Sequence, residues 1–300
     1  MSNGQNNIIE MAGLSIKSEI ISFHVSPSAL AVKRGAFCAL VGRSGAGKSV
    51  LMSLLTGHLL HPWMGINEDC FACETFNILG NTIGKADLCS KHKLRNLFKA
   101  IPVVYMPQKL PEDKSNKRST HSEMTDIAEA IAPHCNRRVL KKKIEARFKK
   151  HDGLQETLRK PLSSLSGGQR KRVEILARVV GAVEKTKGSD SDIVFLLDEP
   201  TTGLDTKTRR KYFDFLKTIQ RPPPDASKAT QEQVHDVPKT FIVATHAMEL
   251  LDEKAGVFDT VLYVRKQPSA NSKDSSVCEL AFCGPLNEFN QRKDLLDELR

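Results

Sequence analysis

The stretch Gly42 to Ser49 reads GRSGAGKS, and its residue types and spacing point to phosphate chemistry. Glycines at Gly42, Gly45 and Gly47 let the backbone curl until several N–H groups converge, so that with Arg43, Ser44 and Ala46 the segment forms an anion cradle. Lys48 is then placed to reach the terminal phosphates of a nucleotide, and the Ser49 hydroxyl to ligate Mg²⁺. A second group lies at Asp198 and Glu199, which directly follow the apolar run IVFLL. Ligand sites of open α/β sheets lie at the carboxyl ends of strands. Asp198 is therefore read as a Mg²⁺ holder acting through water, and Glu199 as a general base that polarises an attacking water. A third group, Leu165 to Gln169 (LSGGQ), opens a stretch of helical spacing and makes a second anion-binding helix end; Ser166 is equally a good N-cap.

These groups need elements to hold them. Ala36 to Val41 (AFCALV) is predicted to be the short buried strand that delivers the glycine-rich loop, and Ser49 to Leu55 the helix that follows. Phe76 to Leu79 and Ile101 to Met106 read as further strands. Ile193 to Leu197 and Thr240 to Thr245 are unbroken apolar runs of strand length, the pattern of a parallel sheet covered on both faces. Val261 to Val264 and Glu279 to Phe282 read as closing strands, with a helix after them. Between Lys109 and Leu165 the chain turns charged and helical, and Arg137 to Lys150 carries eight Lys or Arg residues. Pro111 to Ser122, Arg221 to Lys239 and Lys266 to Ser276 are polar and predicted as loops.

The 300 residues are 40% hydrophobic and 27% charged, which supports a packed core. A net charge of +10 favours phosphate-rich partners without choosing among them. No apolar run approaches the roughly 18 residues of a membrane-spanning helix, and the opening residues do not read as a secretory leader. The seven cysteines are accordingly expected as reduced thiols in a cytoplasm, with any membrane role arising by docking onto another protein or a lipid surface.

GRSGAGKS, then LSGGQ, then IVFLLDEP resemble the nucleotide-binding domains of ABC ATPases, over nearly the whole chain. The resemblance implies an α/β P-loop NTPase fold with a mostly parallel core sheet, an N-terminal antiparallel β region and a helical insert. The expected organisation is a single ABC ATPase domain over 1–300 with a helical signature subdomain at 109–180. It implies ATP and Mg²⁺ as ligands and a dimer with a second ABC ATPase domain, identical or paralogous. In that dimer Ser166, Gly167, Gly168 and Gln169 of one subunit close on the ATP of the other, with Ser166 and Gly168 touching the γ-phosphate. Gln108 matches the Q-loop glutamine that senses Mg²⁺, Asp205 in Thr202-Gly203-Leu204-Asp205 matches the D-loop and is equally placed as N-cap of the helix TKTRRKYFDFLKTI, in one role or both, and His246 matches the switch histidine. One element departs: the aromatic that usually stacks on adenine falls near Ile16 or Lys17, and Phe23, the nearest aromatic, reads as core.

The implied work is transport, with transmembrane subunits as separate partners and the chain peripheral to the membrane. KRVEI after the signature and AFCGPLNEF near the end are similar to the G-type branch. The alternative is a soluble ABC ATPase that remodels a nucleoprotein or cofactor-assembly complex, with NRRVLKKKIEARFKK gripping phosphates. Separately, Cys70, Cys73, Cys89 and His92 have the spacing of a structural zinc site.

Overall fold

A computed structural model of the chain describes residues 7–18, 22–25, 30–57, 70–88, 90–108, 118–151, 153–189, 191–220, 238–268 and 276–299. The chain divides into two compact units. The first gathers Met1–Tyr105, Val194–Asp198 and Thr240–Arg300, and the second Met106–Ile193 and Glu199–Lys239.

The first unit carries two sheets. Its strands are β1 (Asn7–Ala12), β2 (Ser15–Lys17), β3 (Ser22–Val25), β4 (Leu30–Lys33), β5 (Phe37–Val41), β6 (Phe71–Ala72), β7 (Thr75–Ile78), β8 (Asn81–Thr82), β9 (Val103–Met106), β10 (Ile193–Asp198), β11 (Lys239–Ala244), β12 (Thr260–Pro268) and β13 (Ser276–Pro285). Four of them form an antiparallel sheet in the order β4-β1-β7-β8. The other nine run β6-β2-β3-β13-β12-β5-β11-β10-β9. At its centre β5 is flanked by β11 and β12, both parallel to it. Being covered on both faces explains why β5 and β11 are buried at every position and why their sequences do not alternate. Phe37 and Phe241 pair in register with ring centroids 5.3 Å apart, and Phe195 of β10 stacks on Phe241 at 5.0 Å. Each such ring contributes about 1.5–3 kcal/mol by leaving water. The helices of this unit are α1 (Lys48–Leu55), α2 (Lys85–Leu88) and α3 (Lys91–Ala100), with α8 (Leu286–Gln291) and α9 (Lys293–Leu299) after the last strand.

The second unit is helical: α4 (Thr120–Ile131), α5 (Arg137–Lys149), α6 (Gly167–Lys185) and α7 (Thr206–Gln220). Basic α5 buries only Leu140, Ile144 and Phe148, one residue per turn along a single stripe. Arg137 pairs with Asp126 and Glu129 of α4, and Lys143 with the buried Glu184 of α6. Acidic neighbours thus neutralise part of its charge.

Several boundaries differ from the sequence reading. The loop ending at Ser122 is cut short because the Ser119 side chain caps α4, so Thr120 to Ser122 are helical. Residues 111–117, 221–237 and 269–275 of the expected loops lie outside the described residues. Lys266 to Pro268 extend β12, held by pairing with β13. Leu79 leaves its strand with φ 51. The helices at 85–88 and 91–100 were not anticipated, because their Lys- and His-rich sequence hides the Leu88, Leu94 and Phe98 positions that anchor them to the core.

Candidate functional site

The glycine-rich loop leaves the carboxyl end of β5 and enters α1. Gly42 has φ 155, and a Cβ there would lie 2.2 Å from the Val264 carbonyl oxygen, so no other residue fits. Ala46 N–H donates to Arg43 O at 3.1 Å and tightens the curl. Gly47, left-handed, caps α1, whose first turn carries no acid, leaving the positive end of the helix toward the loop. Lys48 is buried, and its Nζ donates to Gly42 O at 2.7 Å and Arg43 O at 3.2 Å. The side chain therefore curls back over the loop. Arg43, Ser44, Gly45 and Ser49 are exposed. From β13 the Cys278 thiol donates to Gly45 O at 3.5 Å, and burial pushes that thiol upward. Phe23 is fully buried with its ring against Gly47, and Ile16 is buried as well; neither offers a face for a base to stack on.

Also in the first unit, Asp198 ends β10 and accepts a hydrogen bond from the Tyr105 hydroxyl at 3.0 Å. Partial desolvation and the Asp198 carboxylate hold the Tyr105 phenol well above its usual range, so it remains a protonated donor. His246 is exposed two residues past the Ala244–Leu40 pair, at the same sheet edge as the glycine-rich loop because β11 and β5 run parallel.

In the second unit, Gln108 Nε2 donates to Glu199 Oε2 at 2.9 Å and to Thr202 Oγ1 at 3.3 Å, and Thr202 Oγ1 lies 3.1 Å from the same carboxylate oxygen. Glu199 has φ 44, a left-handed backbone that costs a non-glycine residue about 1–2 kcal/mol. A turn closed by Thr202 N–H to Glu199 O at 3.1 Å holds it there. Lys171 of α6 donates to the Gln108 carbonyl at 2.9 Å, and burial lowers its amine.

The LSGGQ segment opens α6 with a capping box: Gln169 N–H donates to Ser166 Oγ at 3.3 Å, and Ser166 N–H to Gln169 Oε1 at 3.1 Å. Ser166 and Gly167 are exposed, while Gly168 is buried, with Thr208 of α7 at 2.7 Å from where a Cβ would stand. Asp205 accepts from Thr208 N–H at 2.9 Å and from the Thr208 hydroxyl at 2.6 Å, as an N-cap of α7 does.

Ser49, Asp198 and Gln108 offer hydroxyl, carboxylate and amide oxygens, the hard donors that Mg²⁺ prefers. The Gln108 amide nitrogen is engaged by Glu199. Of the zinc-spaced residues, Cys70 and Cys73 pack against the hydrophobic core, His92 contacts Asn96, and Cys89 lies outside the described residues. Among the described residues no group of three or more His, Cys, Asp or Glu is arranged to hold a metal.

Sequence reasoning named Thr202 only as the first residue of the D-loop match, with no role, and missed Tyr105 and Lys171. Two faint signals exist. Tyr105 sits three residues before Gln108, at an exposed position of β9 between buried ones, and Thr202 lies one turn beyond Glu199.

Residues 25–202 match the family model described as ABC transporter. The energy-coupling factor transporter ATP-binding protein EcfA2 of Streptococcus sanguinis is 31% identical over 242 residues, covering 79% of this chain and 69% of that protein. Among solved structures, a nucleotide-free ATP-binding cassette from an ABC transporter superposes with a TM-score of 0.61 at 13% identity, covering 98% of this chain and 99% of that one. The structure of cbiO1 from Clostridium perfringens, part of the ABC transporter complex cbiONQ, does so with a TM-score of 0.59 at 17% identity, covering 98% and 95%. At these identities the structural likeness speaks for the fold.

Proposed function

The chain belongs to the ABC transporter family, as an ATP-binding component whose ATP hydrolysis is coupled to transport, and from that premise we propose a division of labour among its residues. The N–H groups of Gly42 to Ser49 and the ammonium of Lys48 hold the ATP phosphates. Glu199 accepts a proton from the water that attacks the γ-phosphate, and His246 contacts that phosphate. Ser49, Asp198 and Gln108 would hold Mg²⁺, which would supply positive charge against the phosphates. Ser166, Gly167, Gly168, Gln169 and Asp205 serve the ATP of a second ABC ATPase domain, identical or paralogous. Two subunits close over two ATP molecules, and loss of the bridging phosphate lets them part.

The observation that carries this reading is Lys48, buried and curled over a loop whose Gly42 no side chain could replace. Membrane passage is assigned to partner subunits, in keeping with relatives that belong to transporter complexes. Among the described residues no helix is long and apolar enough to cross a membrane. The nucleoprotein alternative has less behind it, since the salt bridges of Arg137 and Lys143 to Asp126, Glu129 and Glu184 draw α5 charge inward.

The test pairs two variants. Lys48→Ala is expected to weaken nucleotide binding, and Glu199→Gln to bind ATP, stop turning over and accumulate as an ATP-bound dimer. Wild-type hydrolysis by Glu199→Gln would remove the base assignment. Affinity capture of tagged Glu199→Gln from detergent-solubilised cells with ATP should bring down a stoichiometric polypeptide with several membrane spans; a soluble nucleoprotein in its place would overturn the transport arrangement.

A further inference from the structure

We propose that Thr202 is the residue that positions the Glu199 carboxylate for hydrolysis. The inference rests on Glu199 being the base, and gives a role to Thr202, which the D-loop match names without one.

The geometry fixes which atom donates to which. A carboxylate only accepts, whereas a hydroxyl has one proton to give and lone pairs to receive. Gln108 Nε2 gives one proton toward Glu199 Oε2 and lies 3.3 Å from Thr202 Oγ1. With its oxygen receiving from the amide, the Thr202 hydroxyl turns its own proton onto Glu199 Oε2, 3.1 Å away. Two donors thus converge on one carboxylate oxygen, and the hydroxyl bond is strengthened by the amide behind it. Clamping Oε2 settles the side-chain torsions of Glu199 and with them the direction of Oε1. A glutamate side chain turns about three consecutive torsions, and misplacement of a reacting group by about 1 Å is enough to cost a large factor in rate.

The backbone agrees with this assignment. At φ 44 the Glu199 side chain departs from the direction that an extended strand would give it. The turn bond from Thr202 N–H to Glu199 O brings residue 202 beneath it. Thr202 therefore holds Glu199 twice, once by its main chain and once by its hydroxyl. The side chain of Thr202 is exposed, so its hydroxyl is not needed to fill a core.

The experiment compares Thr202→Val, which removes only the hydroxyl, with Thr202→Ser, which keeps it, and with Thr202→Ala as a second hydroxyl-free form. In purified full-length protein, Val and Ala are expected to lower kcat about tenfold with the KM for ATP and the affinity for a non-hydrolysable ATP analogue unchanged within about twofold, and Ser to restore most of the rate. Placed in Glu199→Gln, Thr202→Val should change neither the residual turnover nor the ATP concentration needed to trap the dimer, because the group it positions is gone. Wild-type kcat in Val and Ala, beside an inactive Glu199→Gln, would overturn the positioning role and leave the base in place. A raised KM at unchanged kcat would overturn it in favour of nucleotide binding. An active Glu199→Gln would remove the base itself, a failure distinct from both.

Discussion

Tyr105 donates its hydroxyl proton to the Asp198 carboxylate across 3.0 Å, from the edge strand β9 to the end of its neighbour β10. Partners of metal-ligating carboxylates fix their orientation, and losing them typically costs 10–100-fold in metal affinity. Tyr105→Phe should therefore weaken Mg²⁺ by about tenfold while leaving metal-free ATP binding unchanged. Titration of Mn²⁺ by electron paramagnetic resonance, with a non-hydrolysable ATP analogue present, reads the metal directly. Unchanged Mn²⁺ affinity would mean the phenol is not part of the metal's surroundings.

The Lys48 ammonium donates to two carbonyls of the loop, contacts that a phosphate would replace as partners. A hydrogen bond to a charged group is worth about 1.5–3 kcal/mol, so Lys48→Ala should weaken ATP binding by roughly 10- to 150-fold. Equilibrium binding of a fluorescent ATP analogue measures it. The fold should survive, since Lys48 lies outside the aromatic layer of Phe37, Phe195 and Phe241.

That aromatic layer is fully buried in the parallel part of the sheet. Phe195 is fully buried and stacked on Phe241. Phe195→Ala is expected to lower unfolding stability by about 3–5 kcal/mol, seen as an earlier midpoint in urea with little change in slope. A loss below about 1 kcal/mol would show that the sheet closes over the gap.

Asp205 makes a pH-dependent contribution. The Thr208 hydroxyl and the helix N–H groups stabilise its ionised form, so its pKa in the fold lies below the ordinary 3.8. A lowered carboxylate stabilises the fold above its unfolded pKa, and that contribution is lost as pH falls through the folded value. Asp205→Ala should thus melt about 2–4 °C below wild type at pH 7. The gap should narrow only as the pH drops below about 4. A gap independent of pH would assign the effect to packing.

The parts of the site that were legible are those written in consecutive residues. GRSGAGKS and LSGGQ state their own backbone chemistry, and IVFLL before Asp198 states burial on both faces. The contacts that orient these groups were hidden for physical reasons. Tyr105 and Asp198 are 93 positions apart and meet only because β9 and β10 are neighbours. The left-handed backbone of Glu199 contradicts the preference of its residue type, and so could not be inferred from it. The N-terminal antiparallel sheet was anticipated as a region, but its β8, like β6 of the larger sheet, is two residues long, too short to leave a period. The strand–Gly–Pro–helix shape of AFCGPLNEF is present, with β13 ending at Pro285 and α8 beginning at Leu286.

The placement of β5 has a consequence for how the protein is made. Both of its hydrogen-bonding edges are filled by strands from the far end of the chain, and Gly35 just before it donates to Thr240, 205 positions later. While the chain grows from the ribosome, the strand that carries the glycine-rich loop is made before both of the strands that flank it in the sheet, β11 and β12. Its run FCALV is buried at every position in the fold, so before its partners arrive that burial is not available to it. Loops this long close slowly, so the nascent chain needs shelter from aggregation, and ATP can greet the loop only as one of the last events of folding.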